Sequence, residues 1–273
     1  MAESILAASG VAEPRREAMS LVMLATERDR TFLYAHPEYA LTPAEATTFD
    51  SLVKRRAGRE PLQYISGVQE FYGLEFEVTP DVLIPRPETE MLVERAIEIL
   101  RPYDRAQICD VGTGSGCIAI SILHELPRVR ALGLDMSRKA VSVARRNAAK
   151  HNVSDRFELV ESELFDSLGS EKFDMIVSNP PYVPARDIRD LQAEVRDFEP
   201  QDAFTDRSDG LSILGRIVKQ TPQFLTGQGY LLLEIGFDQS EKVVEMFNAS
   251  QWYPPELFPD LQGIPRLVSA RLI

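Results

Sequence analysis

Asp110-Val111-Gly112-Thr113-Gly114-Ser115-Gly116 follows the apolar stretch Gln107–Val111 and runs into a second apolar stretch, Cys117–His124. A strand that passes through a glycine loop into a helix is the opening unit of a doubly wound α/β fold. Glycines at 112, 114 and 116 let the chain turn sharply and let a ligand approach the backbone with no Cβ in the way. The first turn of the next helix offers free amides. Tight strand-to-helix turns also use glycine for structural reasons alone, so the loop must be weighed with its surroundings.

Downstream, candidate strands at Val129–Asp135, Phe157–Glu161, Met175–Ser178 and Gly229–Glu234 alternate with helical stretches such as Ser137–His151. The alternation predicts an α/β, Rossmann-like, mainly parallel sheet, with ligands beyond the carboxyl ends of the strands where the strand order reverses. The second strand ends at Asp135, 25 residues after Asp110. An acid there accepts hydrogen bonds from ribose hydroxyls, and it also suits the cap of a helix opening at Ser137. NAD is disfavoured because its loop reads G-x-G-x-x-G and cradles a diphosphate, whereas this loop is G-x-G-x-G with Asp110 beside it. An acid near the loop suits a cationic ligand, and S-adenosylmethionine is cationic at its amine and its sulfonium.

The strand at Met175–Ser178 runs into Asn179-Pro180-Pro181-Tyr182. Consecutive prolines fix φ and remove donors, which leaves the carbonyls of the turn free to accept. A rigid loop with a surface tyrosine explains the prolines but not the flanking Asn and Tyr. Methyl transfer to an amide or aromatic NH₂ explains all four residues. The Asn179 side-chain oxygen and the Pro180 carbonyl bind the two N–H bonds and raise electron density on a nitrogen whose lone pair is otherwise delocalised. Tyr182 stacks on the planar group and holds it at attack distance. No side-chain base is required, because the product loses its proton once it is cationic.

Upstream of the loop the pattern is different. Residues 1–66 read as a helical domain: Pro14 to Glu27 lacks glycine, and Thr42-Pro43-Ala44-Glu45 reads as a capping box that opens a helix towards Ala57-Gly58. Residues 67–86 carry short alternating stretches, Phe71-Tyr72 and Leu74-Phe76-Val78, which predict a β-hairpin linker. Pro87-Glu88-Thr89-Glu90 opens the next helix, and residues 87–273 form the expected Rossmann-like domain.

Composition closes off other classes. The formal charge is −12, with −4 in residues 1–80 and −8 in the remainder, so neither part has the basic excess that drives phosphate-backbone binding. A basic protein partner suits this field better. His36, His124 and His151 are scattered, so no metal is expected. Cys109 and Cys117 lie in apolar surroundings and read as buried thiols. No stretch approaches the roughly 18 apolar residues of a membrane span. The opening residues lack a secretory pattern, so a soluble, cytoplasmic protein is expected. Nothing demands more than a monomer.

Taken together, these motifs resemble the release factor glutamine methyltransferases, which methylate N5 of the glutamine in the Gly-Gly-Gln motif of class 1 peptide chain release factors. Pro61-Leu62-Gln63-Tyr64-Ile65-Ser66-Gly67, Glu70-Phe71-Tyr72-Gly73 and Ile84-Pro85-Arg86-Pro87-Glu88-Thr89-Glu90 are similar to that family's linker and signature. Glu234-Ile235-Gly236 with Gln239 is similar to its late strand. The resemblance implies a class I S-adenosylmethionine-dependent methyltransferase domain, yielding S-adenosylhomocysteine, with a helical domain that docks the release factor. It implies cofactor contacts from Asp110, Gly112, Thr113, Gly114, Ser115, Gly116, Asp135 and Asn179, and a substrate site of Asn179, Pro180, Pro181 and Tyr182. Some members carry a Trp beside the adenine where this chain has Leu164, so stacking there is either weakened or supplied instead by the neighbouring Phe165. The segment Glu199–Phe204 has no role assigned. The competing readings are an adenine N6 or guanine N2 methyltransferase acting on nucleic acid, which shares the four-residue turn, and a non-catalytic module on the same fold.

Overall fold

The computed structural model describes residues 1–273 and divides into two compact units. The first comprises Met1–Val68 together with Gln192–Phe198. Its helices are α1 (Ala2–Ala8), α2 (Pro14–Thr26), α3 (Arg30–Ala35), α4 (Pro43–Ala57) and α5 (Leu62–Ser66). The expected capping box opens α4: the Glu45 amide donates to Thr42 Oγ1 at 3.3 Å, and the Thr42 amide donates to Glu45 Oε2 at 2.7 Å. Leu6, Val11, Leu21, Val53 and Ile65 form the core of the unit. Beside this core, α4 carries Arg56, which is 4% exposed. Its guanidinium donates to Glu17 and, at 2.9 Å, to Glu194, and Arg59 also binds Glu194.

The second unit comprises Gln69–Leu191 and Glu199–Ile273. From Gln69 it carries a hairpin of β1 (Val68–Phe71), whose first residue ends the first unit, and β2 (Leu74–Glu77). Tyr72, expected in a strand, is instead half of the two-residue turn, where it and Gly73 both have positive φ, as a primed turn requires. A single 3₁₀ turn over Pro87–Thr89 leads into α6 (Glu90–Leu100). The elements β3 (Ala106–Val111), α7 (Cys117–Glu125), β4 (Val129–Asp135), α8 (Arg138–Lys150), β5 (Phe157–Glu161) and β6 (Phe173–Ser178) then alternate as the pattern predicts. Ser137, rather than Asp135, caps α8 by accepting from the Ala140 amide. After α9, the Ala193–Phe198 helix of the first unit, come α10 (Ser212–Gln220), β7 (Leu225–Glu234), α11 (Ser240–Val244), β8 (Glu256–Pro259) and β9 (Pro265–Arg271).

The sheet has seven strands in the order β5-β4-β3-β6-β7-β9-β8, parallel from β5 to β7 and antiparallel thereafter. The last two strands were not expected from the sequence. Pro254-Pro255 precede β8, Pro259 ends it and Pro265 opens β9, so the sequence there reads as turn punctuation; these positions, at strand ends and on the edge strand β8, are ones where proline is tolerated. Side chains alternate between two cores: Ala106, Ile108, Met175 and Val177 face one, and Cys109, Val111, Ile176 and Leu233 face the other. Cys117 belongs to the first core and Cys109 to the second, so the sheet separates the two free thiols. The strand order reverses between β3 and β6, and that gap sets the position of the site.

Candidate active site

Register brings the two motifs together. Asp110 of β3 pairs with Val177 of β6, so Gly112 and Asn179 leave their strands at the same level. The Ser178 hydroxyl ties them by donating to the Val111 carbonyl at 2.6 Å. Ser178 also pairs with Leu233 of β7, which places Glu234 beside Asn179. A cavity of about 500 Å³ opens at this edge, with Gly112, Thr113, Gly114, Ser115, Asp135, Leu164, Asn179 and Pro181 on its wall. Gly116, Pro180, Tyr182 and Asp110 are not on that wall.

The loop is built for a close approach. Gly112 and Gly114 have φ of +74° and +55°, and a Cβ on either would meet no protein atom within 4 Å, so their inner side is free for a ligand. Gly116 serves packing instead, since a Cβ there would lie 2.9 Å from Ile120. Asp135 presents both carboxylate oxygens to backbone: Oδ2 accepts from the Gly114 amide at 2.9 Å and Oδ1 from the Ser137 amide at 2.8 Å. Each oxygen retains a lone pair for a hydroxyl pair of the ligand.

Asp110 lies fully buried beneath the loop, and Thr113 donates to its Oδ2 at 2.7 Å. Burial pushes its carboxyl up to about 7, against the pull of the Thr113 hydroxyl and the Ala119 amide. Its Oδ1 has no hydrogen bond of normal geometry, and neither does the Ser115 hydroxyl on the wall. An under-satisfied buried acid behind a glycine loop, with an unengaged hydroxyl above it, fits a cationic amine and not a diphosphate.

At Leu164 and Phe165 the expectation changes. Phe165 is buried in the second core, stacked on Phe224 at 4.9 Å, and does not replace the missing Trp. Leu164 takes the wall itself. Its φ of +48° turns it out of the chain direction, and Ser162 holds the turn by donating to the Leu164 carbonyl at 3.0 Å. Met136 and Ile213 also line the cavity and supply apolar surface that the sequence reading did not single out.

The Asn179–Tyr182 turn is braced from behind. Tyr182 donates to Glu234 Oε1 at 2.9 Å, and its ring lies against Gly236, where a Cβ would be 3.1 Å away. Burial, reinforced by the Glu234 charge, holds its phenol well above the ordinary value, so it remains a neutral donor. Gln239 donates to the Tyr182 and Gly210 carbonyls and accepts from the Gly236 amide. Gly210 sits so close that a Cβ would fall 2.2 Å from the Tyr182 carbonyl oxygen. The Pro180 carbonyl lies past the last ladder pair and accepts none of the loop hydrogen bonds, and Asn179 uses only its Nδ2, on Thr89. Two acceptors at this turn therefore remain free.

Glu199, in the segment without an assigned role, accepts from the Ile84 amide at 3.1 Å and from Arg86 at 2.5 Å, and so fixes the Pro85-Arg86 part of the wall. The other wall arginines are also paired, Arg207 with Asp202 and Arg216 with Glu163, each at 2.7 Å. No group of acids, histidines or cysteines could hold a metal ion, and no helix is long and apolar enough to cross a membrane.

A family model for the PrmC N-terminal domain matches residues 1–67, and one for the methyltransferase small domain matches residues 88–195. A release factor glutamine methyltransferase of Geobacter sulfurreducens is 43% identical over 98% of this chain and 93% of its own. One from Koribacter versatilis is 40% identical over 97% and 94% respectively. Among solved structures, the hMettl16 catalytic domain in complex with an RNA hairpin superposes with a TM-score of 0.58 at 16% identity, over 80% of this chain and 81% of that one, which is a likeness of fold. The chain belongs to the release factor glutamine methyltransferase family.

Proposed function

We propose that this protein methylates N5 of the glutamine in the Gly-Gly-Gln motif of class 1 peptide chain release factors, with S-adenosylmethionine as donor. The observation that carries the reading is the free acceptor of Asn179 on the cavity wall, with the unpaired Pro180 carbonyl next to it in the chain, level with a glycine loop whose buried acid favours a cation. S-adenosylmethionine supplies an electrophilic methyl group and leaves as S-adenosylhomocysteine.

The residues of the chain do the rest. Gly112 to Ser115 admit the methionine portion, with Asp110 favouring its charge. Asp135 accepts from the ribose hydroxyls, and Leu164 and Met136 cover the adenine. Asn179 Oδ1 and the Pro180 carbonyl accept the two N–H bonds of the target amide. They align its lone pair and stabilise the positive charge that develops on nitrogen. Tyr182, held by Glu234, sets the far side of the turn. The helical unit docks the release factor, in keeping with its family match. Paired arginines on the cavity wall favour a protein substrate, because binding a phosphate backbone needs uncommitted cations.

The test uses labelled S-adenosylmethionine with three substrates: a class 1 release factor, its Gly-Gly-Gln variant with Gln→Ala, and total RNA or DNA. Label is expected in the release factor alone. Label in nucleic acid without label in the release factor overturns the reading, and equal labelling of the Gln→Ala variant shows the target to be another residue.

Asp110 makes donor binding depend on pH. Its folded value is raised, so the free protein holds a proton there that the unfolded chain releases from about pH 4 upward, and this group's contribution to stability falls as pH rises to about 7. A bound cation favours the ionised acid, and affinity rises over the same window. The dissociation constant for S-adenosylmethionine is expected to fall several-fold, up to about tenfold, between pH 6 and pH 8. Calorimetry with Asp110→Asn should give weaker, flatter binding; an unchanged pH slope in that variant would remove Asp110 from the cofactor site.

A further inference from the structure

We propose that Thr89 and Glu234 are positioning residues that dictate which end of the Asn179 amide faces the cavity. The proposal rests on the reading of Asn179 Oδ1 as an acceptor for the target amide and goes beyond it. Three hydrogen bonds form a chain behind the catalytic turn. Asn179 Nδ2 lies 3.1 Å from Thr89 Oγ1, Thr89 Oγ1 lies 2.6 Å from Glu234 Oε2, and the Tyr182 hydroxyl lies 2.9 Å from Glu234 Oε1.

The direction of this chain follows from what each group can do. The Thr89 hydroxyl donates to Glu234 Oε2, so its single hydrogen is spent there. Thr89 Oγ1 is then left with lone pairs alone, and only the NH₂ end of Asn179 can meet it. Oδ1 must point the other way, towards the cavity that Asn179 and Thr89 both line. A flipped amide would set two acceptors against each other behind the turn. It would also set an NH₂ group against the NH₂ of the substrate in front of it. A primary amide by itself has no such preference, since its two ends are nearly the same shape. The carboxylate at the end of the chain supplies the preference.

Burial supports a purpose beyond stability. Thr89 is 2% exposed and Glu234 3%, in a region where strand β7 otherwise buries leucines. A buried carboxylate is a poor stabiliser compared with an apolar side chain of the same size. Desolvation accordingly raises the Glu234 carboxyl, and the Thr89 and Tyr182 hydroxyls draw it back towards the ionised form. Both of its oxygens are engaged, one on each end of the Asn179–Tyr182 turn. One acid thus orients the acceptor at the start of the turn and anchors the ring at its end.

The experiment measures methyl transfer to a class 1 release factor by the full-length protein, with Thr89→Val, Thr89→Ser, Glu234→Gln, Asn179→Ala and the Asn179→Ala/Thr89→Val double variant. Thr89→Val keeps the shape and removes the hydroxyl, and kcat is expected to fall about ten- to a hundredfold while KM for the release factor stays within about threefold. Thr89→Ser should recover at least about a third of the wild-type kcat. Glu234→Gln, which can donate as well as accept, should lower kcat by about fivefold or more. Thr89→Val should add no more than about twofold to the loss already caused by Asn179→Ala, because it acts through that residue. Wild-type kcat in Thr89→Val or in Glu234→Gln, or full additivity in the double variant, overturns the proposal. If Thr89→Val fails to fold, the Thr89→Ser and Glu234→Gln rates decide. Near-wild-type kcat in Asn179→Ala is a different failure, that of the catalytic reading itself.

Discussion

Asn179→Ala is expected to lower kcat for release factor methylation by about a hundredfold or more, with little change in KM for the release factor. The size follows from what is removed. Asn179 offers one of two free acceptors at the turn, and its neighbour Pro180 offers only a backbone carbonyl that no substitution deletes. Loss of one preorganised partner of the charge that builds in the transition state costs about 2.7–4 kcal/mol in comparable sites. Under the proposed reading a protein substrate is also held by the helical unit, so KM is expected to be spared. Asn179→Asp is instructive beside it: the shape is kept, but a carboxylate facing Thr89 and Glu234 meets an acceptor where a donor stood. Single-turnover rates with saturating donor test both variants, and near-wild-type turnover in Asn179→Ala would sink the mechanism.

Arg56→Ala is expected to destabilise the helical unit by about 3 kcal/mol, since removing one partner of a buried ion pair leaves the other charge uncompensated. Arg56 is 4% exposed, and its loss leaves Glu17 without its guanidinium while Glu194 keeps Arg59. The orphaned group is therefore Glu17. Combining Arg56→Met with Glu17→Met should restore most of the stability, because an apolar pair of similar volume replaces the ionic one without a desolvation cost. Arg56→Lys should recover only part, since an ammonium cannot reproduce the fork that reaches Glu17 and Glu194 together. Urea unfolding monitored in the full chain decides it; a double variant as unstable as Arg56→Ala would mean that packing, not charge, is at stake.

What the sequence disclosed followed the strength of local signals. The parallel strands were legible because apolar runs buried on both faces have few other readings, and the capping box at Thr42 because its partners are three residues apart. The glycine loop and the Asn179 turn were legible because unusual residue types stand next to each other. Strands β8 and β9 were hidden by proline, and the turn position of Tyr72 by a side chain that reads as strand. Phe165 was misplaced because an aromatic residue beside a cavity and one beneath it have the same local sequence. The braces were the hardest to see: Glu234 reads as the end of a strand, Thr89 as a helix start and Glu199 as a loop acid. Each acquires its role from residues more than 50 positions away.

The same distances bear on how the protein comes into being. The loop that would hold the donor and the acid that meets it, Gly112 to Asp135, fall in one short stretch of chain. The groups that aim Asn179 are gathered from positions 89, 179 and 234, and Thr89 and Glu234 are separated by 145 residues. Long-range pairings form late, because the entropy of closing the intervening chain must be overcome first. A chain still being synthesised, or only partly folded, can therefore acquire a donor site before it acquires an aimed acceptor. Until β7 is in place, Glu234 is missing, and with it the group that holds both Thr89 and Tyr182.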